Sequence, residues 1–206
     1  VDEPKWLARA GNFTLALTRG DLAGTVTREH PGVTVTWAGM AGFLLVHPEY
    51  AQLAPGYLVE SGEIGQVLEE QGVQPLKVLE AGRVIMVWVV TFTLLAAFYE
   101  AARLFGYLPA LAGFILIAFD PFHLGLSRLL HLDGLMSSLS LLSLLAFLAF
   151  LHRGRRWIDL AVAGLAAGLG WLTKSPAFFL GPFFGLLALV ELGSLAWRKR
   201  EISWKD

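Results

Sequence analysis

The amino-acid sequence predicts an all-α fold: a polytopic transmembrane helix bundle with an outer loop domain that carries interfacial helices. Three observations predict it. Hydrophobic residues make up 55% of the 206 and charged residues only 16%, against about 25% charged in an average soluble domain. After Arg83 the charges thin out and four apolar stretches follow, Val84 to Tyr99, Leu104 to Phe119, Gly134 to Leu151, and Leu160 to Val190 interrupted only by Lys174. Before Arg83 charged residues recur every few positions, and Pro31, Pro48, Pro55, Gly56, Gly62, Gly72 and Pro75 punctuate the chain, as in a water-facing or interfacial segment.

Residues 1–82 form the first predicted unit, an outer loop domain. Trp6, Leu7, Ala8, Ala10, Phe13, Leu15, Ala16 and Leu17 are interspersed with Lys5, Arg9 and Arg19, the pattern of an amphipathic helix lying flat in the membrane interface. Val33 to Val46 is uncharged but too short for a span, which needs about 20 apolar residues, and reads as an interfacial or re-entrant helix. The chain opens at Val1 in a charged segment, so it reads as an N-terminally truncated piece of a longer protein.

Residues 83–206 form the second unit. With their flanks the apolar stretches reach spanning length at about 84–103, 105–122, 133–152 and 157–195. The last is long enough for two helices. Lysine is expensive in mid-bilayer and Pro176 disfavours helix at Ser175, so the break falls at Lys174-Ser175-Pro176, giving spans at about 157–173 and 177–195.

Net charge is −1, so no global basic field recruits nucleic acid. The absence of cysteine removes disulfides, thiolate catalysis and Cys-ligated zinc. Position carries more information than the sum. Positive clusters at His152-Arg153-Gly154-Arg155-Arg156 and Arg198-Lys199-Arg200, with Arg103, mark span ends on one side, the cytoplasmic side by the positive-inside rule. Alternating spans then place residues 1–82, the 120–133 loop and Lys174 together on the non-cytoplasmic face of a multi-pass membrane protein.

Four clusters carry chemistry. Asp2-Glu3 pairs two carboxylates, a pattern equally at home on a solvated loop. Arg28-Glu29-His30-Pro31-Gly32 sets a histidine before a turn former. The stretch Asp120 to Gly134 joins two spans and holds two Asp, two His and Arg128. Asp133 there stands at a span start, where a helix dipole also favours an anion as a simple cap. Lys174 is a lone cation between apolar spans, a functional candidate that a phosphate ligand would neutralise, with snorkelling to headgroups as the alternative.

Taken in order, these clusters resemble those of the GT-C class of glycosyltransferases. They are Asp-Glu opening the first outer loop, His-Pro about 27 residues later, Ser-Arg then Leu-Asp at a helix start, and Leu-Thr-Lys about 40 residues beyond. The protein O-mannosyltransferases and the lipid A aminoarabinose transferases are the nearest in pattern, and the chain would represent the N-terminal part of such an enzyme. The resemblance implies transfer of a sugar from a polyprenyl phosphate to an acceptor on the non-cytoplasmic face, with membrane lipids as surroundings. It assigns the catalytic carboxylate to Asp2 with Glu3 beside it, places Asp133 with the catalytic residues near the donor, and assigns substrate binding to His30, Arg128 and Lys174. Gly32 departs from the mannosyltransferase pattern, which has a second proline there, and weakens the acceptor role of that loop.

The residue types suit the reaction. A base must take the acceptor hydroxyl proton, and cations must stabilise the departing phosphate. No cofactor is demanded. A divalent metal stays open, with Glu3, His30 and Asp133 as oxygen and nitrogen donors but no recognised ligand spacing. The rival reading is a transporter or flippase subunit in which Lys174, Arg128 and Asp133 line a polar vestibule. It needs repeated spans, and no motif repeats between the halves.

Overall fold

A computed structural model describes residues 2–26 and 31–203, with side chains through Trp197. The fold is all-α, and no strand occurs among the described residues. Helix α1 runs Glu3–Thr18, started by Pro4 in its first turn and ended before Gly20 at φ +70°. Trp6, Leu7, Ala10 and Leu15 recur at helical spacing and are buried. Helix α2, Val33–Val46, packs across α1, and short helices α3 (Tyr50–Leu53) and α4 (Glu63–Glu70) close over the same side. Leu7, Leu15, Phe43, Tyr50, Ile64 and Leu68 form their shared core with Val78.

Val78 belongs to α5, Pro75–Phe105, which holds this end of the molecule to the bundle. The composition change near Arg83 is not a structural break, because Pro75 starts a helix that passes through it uninterrupted. Its 31 residues span about 46 Å, well beyond a hydrocarbon core of about 30 Å, so its first turns are available to carry α2. The crossing is close. A side chain at Gly42 would stand 2.8 Å from the Val78 carbonyl and 2.9 Å from the Gly82 nitrogen, so only glycine lets the two backbones approach this nearly.

Helix α6 (Tyr107–Phe119) leans on α5, and the chain then bends by 66° into α7, Pro121–Ser127. The bend has a local cause. Asp120 leaves helical geometry and its carboxylate caps α7, accepting from the backbone N–H of His123 at 2.9 Å. Helix α8 (Leu132–His152) packs against α5, and α9 (Trp157–Thr173) runs antiparallel to α8, tied to it by Ser143 Oγ donating to the Ala163 carbonyl at 2.7 Å. Lys174 is extended, a 3-10 turn covers Ser175–Phe179, and α10 runs Leu180–Ser203.

Among the described residues, three helices are long and apolar enough to cross a membrane, or four if α6 and α7 together count as one broken span. Outward-facing Trp88, Phe92, Leu116, Leu165 and Leu189 leave the bundle with an apolar exterior. The opposite end from α1 is closed by Arg103, which bonds Asp159 through both nitrogens at 2.7 and 2.9 Å and Glu100 at 2.6 Å.

Candidate active site

At the α1 end, five segments distant in sequence converge. Glu3 in the first turn of α1 is buried, and three donors hold its carboxylate: Arg83 Nε at 2.8 Å, Arg83 Nη2 at 2.5 Å and the Leu130 backbone N–H at 3.0 Å. Burial pushes its pKa up, but the Arg83 and Leu130 hydrogen bonds and the charges of Arg83 and His131 outweigh that, leaving it below the ordinary glutamate value. Glu3 is therefore an ionised brace joining α1, α5 and the α7–α8 loop.

The same loop leads directly into the second pair. His131 caps α8, and Asp133 lies in the helix's first turn, where the dipole favours its negative charge. Asp133 Oδ1 accepts from Lys174 Nζ at 2.5 Å, and its Oδ2 lies 3.6 Å from His131 Nδ1. The pair is accessible, with side chains 33% exposed for Asp133 and 26% for Lys174. An ammonium has three N–H donors. Asp133 uses one, so the others can meet an oxyanion without breaking the pair.

The third segment fixes the position of Lys174. Thr173, fully buried, accepts at its carbonyl from the Gly32 N–H at 3.0 Å and shares a 2.7 Å hydrogen bond between its hydroxyl and that of Thr34. The Pro31-Gly32 turn is thus docked on the residue before Lys174. Gly32 is required there twice over: its φ is +55°, and a Cβ would fall 2.1 Å from the Trp6 ring. His30 itself lies outside the described residues.

Asp2 is exposed at the α1 N-cap and makes no side-chain cap bond, so its carboxylate is not committed to the helix. Arg128 ends α7, whereas Asp133 lies in the first turn of α8. The chain breaks between α7 and α8, and Arg128 is exposed on the mouth of an apolar groove among α5, α6 and α7, which neither Asp133 nor Lys174 lines. Among the described residues no group of three or more His, Asp or Glu could hold a metal ion. Glu3 accepts from Arg83 and the Leu130 N–H, and Asp133 accepts from Lys174.

A family model described as dolichyl-phosphate-mannose-protein mannosyltransferase matches residues 77–204, well over half of the chain. The chain belongs to that family. Its members are membrane glycosyltransferases of the GT-C type, and this chain is accordingly an integral membrane protein. The matched region holds Arg83, Arg128, Asp133 and Lys174, while Asp2, Glu3 and His30 precede it. No curated protein and no solved structure matches the chain.

Sequence reasoning missed four contributors. Arg83 stood out only as the point where composition changes, and nothing local links it to Glu3, 80 positions away. Thr173 and Thr34 are unremarkable hydroxyls until the fold joins them. The Leu130 N–H is invisible to any reading of side chains.

Proposed function

We propose that this family member is a multi-pass enzyme that transfers a sugar from a polyprenyl phosphate to an acceptor hydroxyl on the non-cytoplasmic face. The observation that carries the proposal is the Asp133–Lys174 pair, a solvent-accessible ammonium held at the end of an apolar bundle with donors to spare. The orientation is supported by Arg103, Arg153 and Arg156 gathering at the opposite end.

Asp2 is the general base in this reading. It takes the proton from the acceptor hydroxyl as that oxygen bonds to the sugar's anomeric carbon, while the bond from that carbon to the phosphate oxygen breaks. The electron pair leaves with the polyprenyl phosphate, and Lys174 stabilises the charge that grows on it. Asp133 positions Lys174, and Glu3 positions the loop that carries Asp133. With its pKa held down and its oxygens occupied, Glu3 is a poor proton acceptor, so the base role falls to its neighbour. His30, next to the docked Pro31-Gly32 turn, is assigned to the substrate.

The test is polyprenyl-phosphate binding to the full-length protein in detergent, together with sugar transfer. Lys174→Ala is expected to lose binding, and Asp2→Asn to keep binding but lose transfer. Undiminished turnover in Asp2→Asn removes the base assignment. Failure of the wild type to bind any polyprenyl phosphate removes the whole reading.

A further inference from the structure

The groove among α5, α6 and α7 encloses about 890 Å³. Its long walls are apolar, with Val90, Leu94 and Phe98 on α5 facing Leu111, Phe114 and Ile115 on α6. Along α5 the lining runs from Val87 to Phe98, about 17 Å at helical rise, close to the thickness of one leaflet of a hydrocarbon core of about 30 Å. The 66° bend between α6 and α7 turns α7 across one end. There His123, Ser127 and Arg128 form a polar rim.

The charge on that rim is one-sided. Asp120, three residues before His123, is turned onto the N–H groups of Phe122 and His123, and Asp133 is engaged by Lys174. His123 Nε2 is paired with Ser127 Oγ at 3.3 Å. Arg128 is exposed, and no described residue offers it a hydrogen bond or an ion pair. A guanidinium at the head of a leaflet-length apolar groove complements a phosphodiester joined to a hydrocarbon chain, because Arg binds such oxyanions bidentately.

We infer that this groove binds one anionic phospholipid of the surrounding bilayer, from the leaflet on the Lys174 side, with its headgroup on Arg128. The occupant is a bilayer lipid and not the sugar donor on two grounds. The groove accommodates one leaflet's depth of chain, and none of Glu3, His131, Asp133 and Lys174 lines it. The groove is thus lined by none of the residues to which sugar transfer is assigned. Arg128 remains linked to the reaction centre through the chain, since Leu130 and Asp133 follow on the same loop, so an occupied groove steadies the loop that Glu3 braces.

The experiment uses full-length protein in nanodiscs of phosphatidylcholine and phosphatidylglycerol in equal amounts, released into detergent and weighed by native mass spectrometry. One retained phosphatidylglycerol per protein is expected, favoured at least about fivefold over phosphatidylcholine, each tenfold of preference being about 1.4 kcal/mol. Arg128→Gln should erase the preference and Arg128→Lys should keep part of it. Leu95→Trp, at a groove position already 57% exposed, should expel the lipid while leaving polyprenyl-phosphate binding intact. Equal retention of the two lipids, or a preference that survives Arg128→Gln, overturns the inference. So does stoichiometric displacement of the phosphatidylglycerol by added polyprenyl phosphate, which would assign the groove to the donor.

Discussion

The two ends of the bundle each carry acids and an essential cation, yet they are built differently. At the Arg103 end, Glu100 and Asp159 are 5% and 1% exposed and share one guanidinium that cross-links α5 to α9. At the Lys174 end, the ammonium and its carboxylate are about a quarter to a third exposed, and the lysine keeps donors in reserve. The fully engaged cluster has nothing left to offer a ligand, so its work is to hold helices together. The partly engaged one has retained the capacity to bind. Burial and spare hydrogen-bonding capacity, more than the count of charges, separate a clamp from a site.

Substitutions at each end test that separation. The largest effect is expected from Arg103→Met, which strands two buried carboxylates and should destabilise the fold by about 3–5 kcal/mol, seen as a large drop in thermal unfolding temperature in detergent. Lys174→Met should do the opposite. Transfer should fall about 10²–10³-fold, the scale for losing one preorganised donor to a developing oxyanion, while stability changes by only about 1 kcal/mol because the pair is accessible. If the two variants unfold alike, the distinction between clamp and site is lost.

Gly32→Ala comes next. It forces a Cβ toward the Trp6 ring at a positive φ and should cost about 1–3 kcal/mol. Polyprenyl-phosphate affinity should weaken with it, since the Gly32 N–H helps hold Thr173. Unchanged affinity in a destabilised variant would detach the Pro31-Gly32 turn from the site.

Glu3→Gln should have the smallest effect, about 1–2 kcal/mol, one charge-assisted hydrogen bond with an Arg83 partner that is partly exposed. Its pH dependence is the sharper readout. Because folding lowers the Glu3 pKa, its contribution is fully present at pH values above the ordinary glutamate value and is lost as pH falls through the lowered one. The wild type should therefore lose its advantage over Glu3→Gln on acidification below about pH 4, measured as the difference between their unfolding curves.

Much of the fold was legible because its signals are local. The apolar stretches, the proline at the start of α5 and the Lys174-Ser175-Pro176 interruption each act within a few residues. The site was legible only as an inventory. Asp133 and Lys174 stood out as charges out of place in apolar surroundings, and their resemblance to a known order of motifs put them on one face. Their direct contact, across 41 positions, was not readable from spacing, nor was the place of Arg128 on the groove among α5, α6 and α7. Glu3 reads as half of a catalytic pair in sequence, whereas its three partners come from two other segments.

The sequence alone therefore determined that this is an α-helical membrane protein and which few charged residues are costly enough to need a purpose, because the price of polar groups in an apolar bundle is set residue by residue. Tertiary structure alone decided which of those charges meet. Glu3 was given to Arg83, Lys174 to Asp133 and Arg103 to Asp159, and Arg128 was left at the groove, because pairing depends on where helices cross and on the close approach that Gly42 and Gly82 allow.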